Sequence, residues 1–222
     1  MENYAISLYT DTGVKKEYNI DNYFDEGEYG YIYKLDDNTC LKLFSDNFFF
    51  DDTVLRVIKS MKLNNFYEIY DLLYDCYKNF CGYTMKYYPS EDINIVDMPT
   101  SYTLDNLYGL YKSFERLSDN CIVAYDCYNN NIIINNSGLT VIDVDLFYRE
   151  ANKRRENYYN LMDLFKTLYH NELRKLGYPM EDREKILDSL FNEKKDITQV
   201  EKKLIKYKYP IDYIKDCYRG KC

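Results

Sequence analysis

Residues 122–147 read IVAYDCYNNNIIINNSGLTVIDVDLF. Two hydrophobic runs, NIIIN (131–135) and TVIDVD (140–145), are joined by Asn135-Asn136-Ser137-Gly138. Asn and Gly tolerate the backbone of tight turns, so the pattern predicts a β-hairpin. Asp126 and Asn131 stand five apart at the approach to the first run, and Asp143 and Asp145 are planted in the second. Carboxylates are costly to bury without partners. What they face decides how the whole chain is read.

Upstream, residues 4–20 (YAISLYTDTGVKKEYNI) read as two strands around an Asp-Thr-Gly turn. EYGYIYKL, an Asp-Asp-Asn turn and TCLKLF form a second hairpin. Residues 51–62 (DDTVLRVIKSMK) carry apolar residues at helical spacing, with Asp51 or Asp52 as N-cap. FYEIYDLLYD (66–75) and GYTMKYY (82–88) supply a third strand pair. This half is expected to be a five- or six-stranded sheet with one helix. After Pro89 the character changes. Residues 103–120 form an amphipathic pattern with Ser101 or Thr103 available as cap, and helical patterns follow at 157–177, 180–194 and 198–208. A β-rich half followed by an α-rich half predicts an α+β protein of two lobes, 1–88 and 89–222, meeting near residue 89.

Composition narrows the function. The 222 residues are 46% apolar and 30% charged, the profile of a folded chain. The formal charge of −8 argues against nucleic-acid partners. No apolar run approaches the roughly 18 residues of a transmembrane span, and MENYAISLYTDTG lacks the basic start and apolar stretch of a signal peptide. A cytoplasmic location without a membrane span is expected. The 28 tyrosines, the absence of Trp and the abundance of Asn, Ile and Lys look like an AT-rich coding bias. Seven cysteines at spacings such as Cys76/Cys81, Cys121/Cys127 and Cys217/Cys222, with one histidine, fit reduced packing residues better than a zinc site. That histidine, His170, reads as structural.

Two further features carry chemistry. In DEGEYGYIYK, Gly27 and Gly30 would let the backbone lie close over phosphates, although two glycines three apart in a hairpin are more often turn chemistry alone. Lys42 in TCLKLF sits in an apolar strand. Alternation alone leaves open whether it points inward, toward an anion, or outward.

Taken together, Gly27, Gly30, Lys42, Asp126, Asn131 and Asp143 form an ordered set. The arrangement resembles the eukaryotic-like protein kinase and aminoglycoside phosphotransferase superfamily, as a small, divergent bacterial or viral member. YDCYNNNIII looks like that family's D-x-x-x-x-N loop, and VIDVD looks like its metal-aspartate strand. The resemblance implies a bilobal kinase-like fold in which the cleft-floor hairpin faces a metal-loaded ligand. It implies ATP and Mg²⁺ as cofactors, with Lys42 on the α- and β-phosphates. Asn131 and Asp143 would hold the metal, and Asp126 would accept the proton of the attacking hydroxyl. It further places Ile32 and Cys40 against the adenine, Met85 at the gatekeeper position, and backbone groups of Lys86 and Tyr87 at the adenine edge. The implied partners are a nucleotide and a hydroxyl-bearing small molecule or protein. The reading requires the amine of Lys42 to lie near the carboxylate of Asp143.

Several positions depart from the family pattern. Ala124-Tyr125 stand where His-Arg would be, and Val144-Asp145 replace Phe-Gly. Asp145 is expected either to add a carboxylate near the metal or to cap the next turn. The helix glutamate that pairs with the lysine has no match near Val54–Arg56. Asp51, Asp52 or Glu68 would have to substitute, or Lys42 would be held by Asp143 alone. The segment after Asp143 is short, and Arg149, Lys153, Arg154 and Arg155 follow it. A phosphotransferase is the first expectation, and a pseudokinase acting as a binding module is the alternative.

Overall fold

The structure is a computed structural model. It describes residues 4–45, 50–89, 100–127, 131–135, 138–150 and 177–190, with single positions at 156, 157, 160, 161, 166, 170, 171, 173 and 174. The chain divides into two compact units. One takes Met1–Pro89 and Asp143–Asp145, the other Ser90–Ile142 and Leu146–Cys222. The class is α+β. The helix expected at 198–208, Lys153–Arg155, Cys217 and Cys222 lie outside the described residues.

The first unit is built on an antiparallel sheet of seven strands, more than the five or six expected. They are β1 (Ala5–Thr10), β2 (Lys15–Asn19), β3 (Tyr23–Gly27), β4 (Gly30–Lys34), β5 (Thr39–Phe44), β6 (Ile69–Tyr74) and β7 (Phe80–Lys86). Their order across the sheet is β2-β1-β6-β7-β5-β4-β3. The additional strand is β3, whose YFDEG sequence is exposed at every position and shows no alternation to read. The N-terminal hairpin joins the rest through β1 and β6, with Tyr9 opposite Tyr74 and Thr10 opposite Leu73.

The connection from β2 to β3 dictates the curl. These strands lie at opposite edges, yet only Ile20, Asp21 and Asn22 join them. Four residue steps of extended chain reach about 14 Å, whereas seven strands laid flat would span about 29 Å. The sheet must therefore roll until its edges approach. Packing agrees. Tyr18 of β2, Leu8 of β1, Leu73 of β6 and Leu41 of β5 form one buried cluster, joined by Tyr33 of β4 and Cys81 of β7. Six strands thus share one interior, and each fully buried Leu there contributes about 1.5–3 kcal/mol.

The opposite face of the central strands is buried as well, with Cys40, Lys42, Leu72 and Tyr83 all enclosed. Helix α1 (Asp52–Met61) packs on β6 and buries Val54, Leu55, Ile58 and Met61. Asp51 is its N-cap, accepting from the Thr53 N–H at 2.9 Å, a contribution of about 1 kcal/mol. Lys59 ties the helix to the β1–β2 turn through Asp11 at 2.8 Å.

The second unit contains α2 (Thr100–Asp119), the hairpin β9 (Ile132–Asn135) and β10 (Gly138–Val141), a short ladder of β8 (Ile122–Val123) with β11 (Tyr148–Arg149), and α3 (Met180–Leu190). Because α2 starts at Thr100, Ser101 and Thr103 lie inside its first turn and neither is the expected cap. The described positions between 156 and 174 are helical, as periodicity predicts.

Gly27 and Gly30 face each other across the β3–β4 turn, but their surroundings differ. A Cβ on Gly30 would meet the Leu43 carbonyl oxygen at 2.1 Å, while one on Gly27 would meet nothing within 4 Å. Gly30 is therefore a packing requirement of β4 against β5. Gly30→Ala should destabilise the fold by about 1–3 kcal/mol, and Gly27→Ala should stay within about 0.5 kcal/mol, as compared by urea denaturation.

Candidate functional site

Strand register gathers several predicted residues on one face. Ile32 lies opposite Lys42, Lys42 opposite Tyr83, and Tyr83 opposite Leu72, forming one row across β4, β5, β7 and β6. The adjoining row on the same face holds Cys40 opposite Met85. Ile32, Cys40, Lys42 and Met85 are thus neighbours on a single surface, with the Gly27–Gly30 turn at the strand ends. The Cys40 thiol is pushed up to about 11 by burial, so it is a neutral packing group.

Lys42 points inward. It is 3% exposed, and its Nζ donates to Asp143 Oδ1 at 2.6 Å although the two residues are 101 apart in sequence. The same ammonium forms an ion pair with Asp145 Oδ2. Neither Asp51, Asp52 nor Glu68 partners it. Asp51 caps α1, Asp52 binds Arg56 and Tyr74, and Glu68 is an exposed residue whose carbonyl accepts from the Lys86 N–H. The inward face of α1 is apolar, so a helix acid has no place to stand. Lys42 is not held by Asp143 alone either.

The two aspartates differ in environment. Asp145 has a side chain with no exposure, and its Oδ1 accepts the Tyr83 hydroxyl at 2.8 Å. Tyr67 donates in turn to Tyr83 at 2.8 Å. Burial holds both phenols well above their ordinary range, so they act as neutral donors. The Asp143 side chain is 33% exposed. Burial would raise its pKa, but Lys42 outweighs that and the carboxyl lies below the usual range. Asp145 is pushed up to about 7, by burial first and by the neighbouring Asp143, against the pull of Lys42. Lys42 itself is raised: the two carboxylates overcome the burial that opposes its charge. Asp145 is the residue that sequence reasoning placed only near the metal or at a turn. Its position two residues after Asp143 was the available signal.

Asp143 adopts φ 60° and Asp126 φ 59°, both left-handed, a conformation that Lys62, Asn65, Lys78 and Cys121 share. Aspartate tolerates this region better than most residues.

Asp126 and Asn131 form the second cluster, within the other unit. The Asn131 Nδ2 donates to the Asp126 carbonyl at 2.8 Å and to its Oδ2 at 3.1 Å, closing the loop between them. The Asn131 carbonyl accepts from the Ile142 N–H at 2.8 Å, immediately before Asp143 in the chain. Asn157, 2% exposed, pins the approach to this loop. Its Oδ1 accepts from the Ala124 N–H at 2.7 Å, and its Nδ2 donates to the Ile122 carbonyl at 2.7 Å and to Ser118 Oγ at 2.9 Å. Asn160 adds a bond to the Ala124 carbonyl at 2.6 Å. Asn157 and Asn160 were not anticipated; asparagines in a helical pattern are normally read as surface.

The expected adenine edge is altered. The Lys86 N–H is taken by the Glu68 carbonyl at 2.9 Å, and the Tyr87 N–H by the Asn38 carbonyl at 2.8 Å. Those donors are spent inside the sheet, so the two residues can offer an adenine only carbonyl oxygens. A cavity of about 570 Å³ lies elsewhere in the first unit, lined among others by Tyr9, Asp11, Arg56, Tyr74, Cys76 and Lys78, and shares no residue with the lysine cluster. Among the described residues, no group of three or more His, Cys, Asp or Glu gathers as a metal-binding set, and no helix is long and apolar enough to cross a membrane. Comparison with protein-family models finds no match, and comparison with curated protein sequences finds none.

Proposed function

We propose that the chain is an ATP-dependent phosphotransferase of the protein-kinase-like type. The observation that carries this reading is the buried ion pair of Lys42 with Asp143 at 2.6 Å. The resemblance requires that pairing, and chance offers few routes to it across 101 residues. Support comes also from the row of Ile32, Lys42, Cys40 and Met85 on one sheet face. The order of glycine hairpin, lysine strand, helix and hinge strand agrees with it.

Each residue then has a task. Lys42 meets the α- and β-phosphates, a role suited to a compact, strongly charged ammonium. Asp143, ionised and partly exposed, fits a hard cation, and the resemblance assigns metal binding also to Asn131, whose Nδ2 is held by Asp126. Mg²⁺ commonly takes only one or two such protein oxygens, the remainder coming from phosphate and water. When bound, the ion would draw charge from the phosphates. Asp126 orients the acceptor hydroxyl and takes its proton. The acceptor oxygen bonds to the γ-phosphorus as the bond to the β–γ bridging oxygen breaks, leaving ADP. Such catalysis rests on positioning and charge neutralisation.

A second reading, a pseudokinase acting as a binding module, is favoured by the engaged N–H groups of Lys86 and Tyr87 and by a lysine already satisfied by two carboxylates. A thermal-shift titration separates the two. Mg²⁺–ATP at a hundredfold excess over Kd should stabilise the wild-type chain by about 2.7 kcal/mol, and Asp143→Ala should abolish the shift. Autophosphorylation or phosphate transfer to offered acceptors should vanish in Asp126→Asn while nucleotide binding remains. Absence of any shift for the wild-type chain would favour the nucleotide-free module.

A further inference from the structure

The lysine cluster holds one carboxylate more than the proposed chemistry uses. Lys42 lies between Asp143 and Asp145, while the helix that would be expected to supply its partner presents only Val54, Leu55, Ile58 and Met61 to the interior. The two acids are not equivalent. Asp143 is one-third exposed and ends the hairpin that begins beside Asn131. Asp145 has no exposed side-chain surface, and its second oxygen is fixed by the hydroxyl chain from Tyr67 through Tyr83. Tyr83 stands directly opposite Lys42 across β5 and β7.

We propose that Asp145 is a positioning residue that takes over the missing helix acid's work, fixing the Lys42 ammonium for phosphate and leaving Asp143 to a cation. The inference rests on the nucleotide reading above and deepens it. Its logic is electrostatic. A lysine this deeply buried cannot be left without an anion, because an isolated charge in a low-dielectric interior is strongly penalised. If Asp143 were its only partner, turning that carboxylate toward a metal would strip the ammonium of its counter-charge. A second, immobile carboxylate removes the conflict. The buried tyrosine pair supplies the immobility: it accounts for the Asp145 oxygen that Lys42 does not use, so the side chain has one satisfied orientation. The long lysine stem then loses little further freedom when phosphate arrives.

The test compares the intact wild-type chain with Asp145→Asn and Tyr83→Phe, titrated calorimetrically with Mg²⁺–ATP and, separately, with adenosine. Adenosine has no phosphate for Lys42 to meet. Asp145→Asn should weaken Mg²⁺–ATP by about tenfold or more while adenosine changes by less than about twofold, since a tenfold loss corresponds to the modest misplacement of one charge. Tyr83→Phe should move the same ratio in the same direction by a smaller factor. A general loss of structure would weaken both ligands together, and that outcome overturns the proposal, as does an Asp145→Asn chain that binds Mg²⁺–ATP like wild type. If Asp145→Asn does not fold by circular dichroism, Tyr83→Phe decides: an unchanged ATP-to-adenosine ratio overturns the inference. A wild-type chain that binds neither ligand sinks the nucleotide reading itself, and is distinguishable because no variant is needed to see it.

Discussion

A charged amine enclosed by protein must have anions within reach, and Lys42 imposes that demand on the middle of the sheet. Strand β5 is paired on both sides, by β4 and β7, and its lysine is 3% exposed. Water cannot satisfy the charge. Three residues from far along the chain, Asp143 to Asp145, therefore belong to the first unit although their sequence neighbours belong to the second. Breaking such a pair by removing one partner costs about 3–5 kcal/mol in other buried sites. The surrounding architecture follows. Tyr83 is buried where it donates to Asp145 Oδ1, with Tyr67 donating to it in turn, and α1 is free to be apolar on its inner face because no acid is needed there.

The second unit solves a different problem with neutral groups. The loop carrying Asp126 has a left-handed residue and an irregular backbone, whose N–H and carbonyl groups have no ladder to join. Among the described residues, asparagine, which offers a donor and an acceptor on one short side chain, fills the gap at Asn131, Asn157 and Asn160. An aspartate in any of these places could accept but not donate when ionised. The β8–β11 ladder adds two residues of pairing that bring the chain leaving the hairpin back beside the chain entering it. One cluster thus depends on charge and burial, the other on amide hydrogen bonds.

Local chemistry was legible where it repeated. Alternation exposed the hairpins, and the Asn-Asn-Ser-Gly signal separated the runs that form β9 and β10, although Asn135 and Gly138 belong to the strands. The cap of α1 was narrowed to Asp51 or Asp52 because caps are decided within one turn of helix, and it is Asp51. The pairing of Lys42 with Asp143 was reachable only through the family resemblance carried by six ordered residues. What stayed hidden was decided at long range. Nothing near Asp145 says that a lysine about a hundred residues earlier selects it over an acid on α1. Tyr67 and Tyr83 could not be told from the other tyrosines among 28, since their distinction is a mutual hydrogen bond and a buried carboxylate. Strand β3 escaped because neither of its faces is covered, and the engagement of the Lys86 and Tyr87 N–H groups follows from pairings that only the assembled sheet determines.

The three-residue link between β2 and β3 has a practical corollary for anyone handling this chain. The opening twenty residues look like a dispensable extension ahead of the glycine hairpin. Yet Leu8, Tyr18 and Ile20 form part of the lining against which Leu41 and Leu73 are packed. Cutting at residue 20 would open a rolled sheet along β6, bare an apolar wall and leave an unpaired strand inviting association with other chains. A soluble minimal version of the first unit must therefore retain its amino-terminal hairpin.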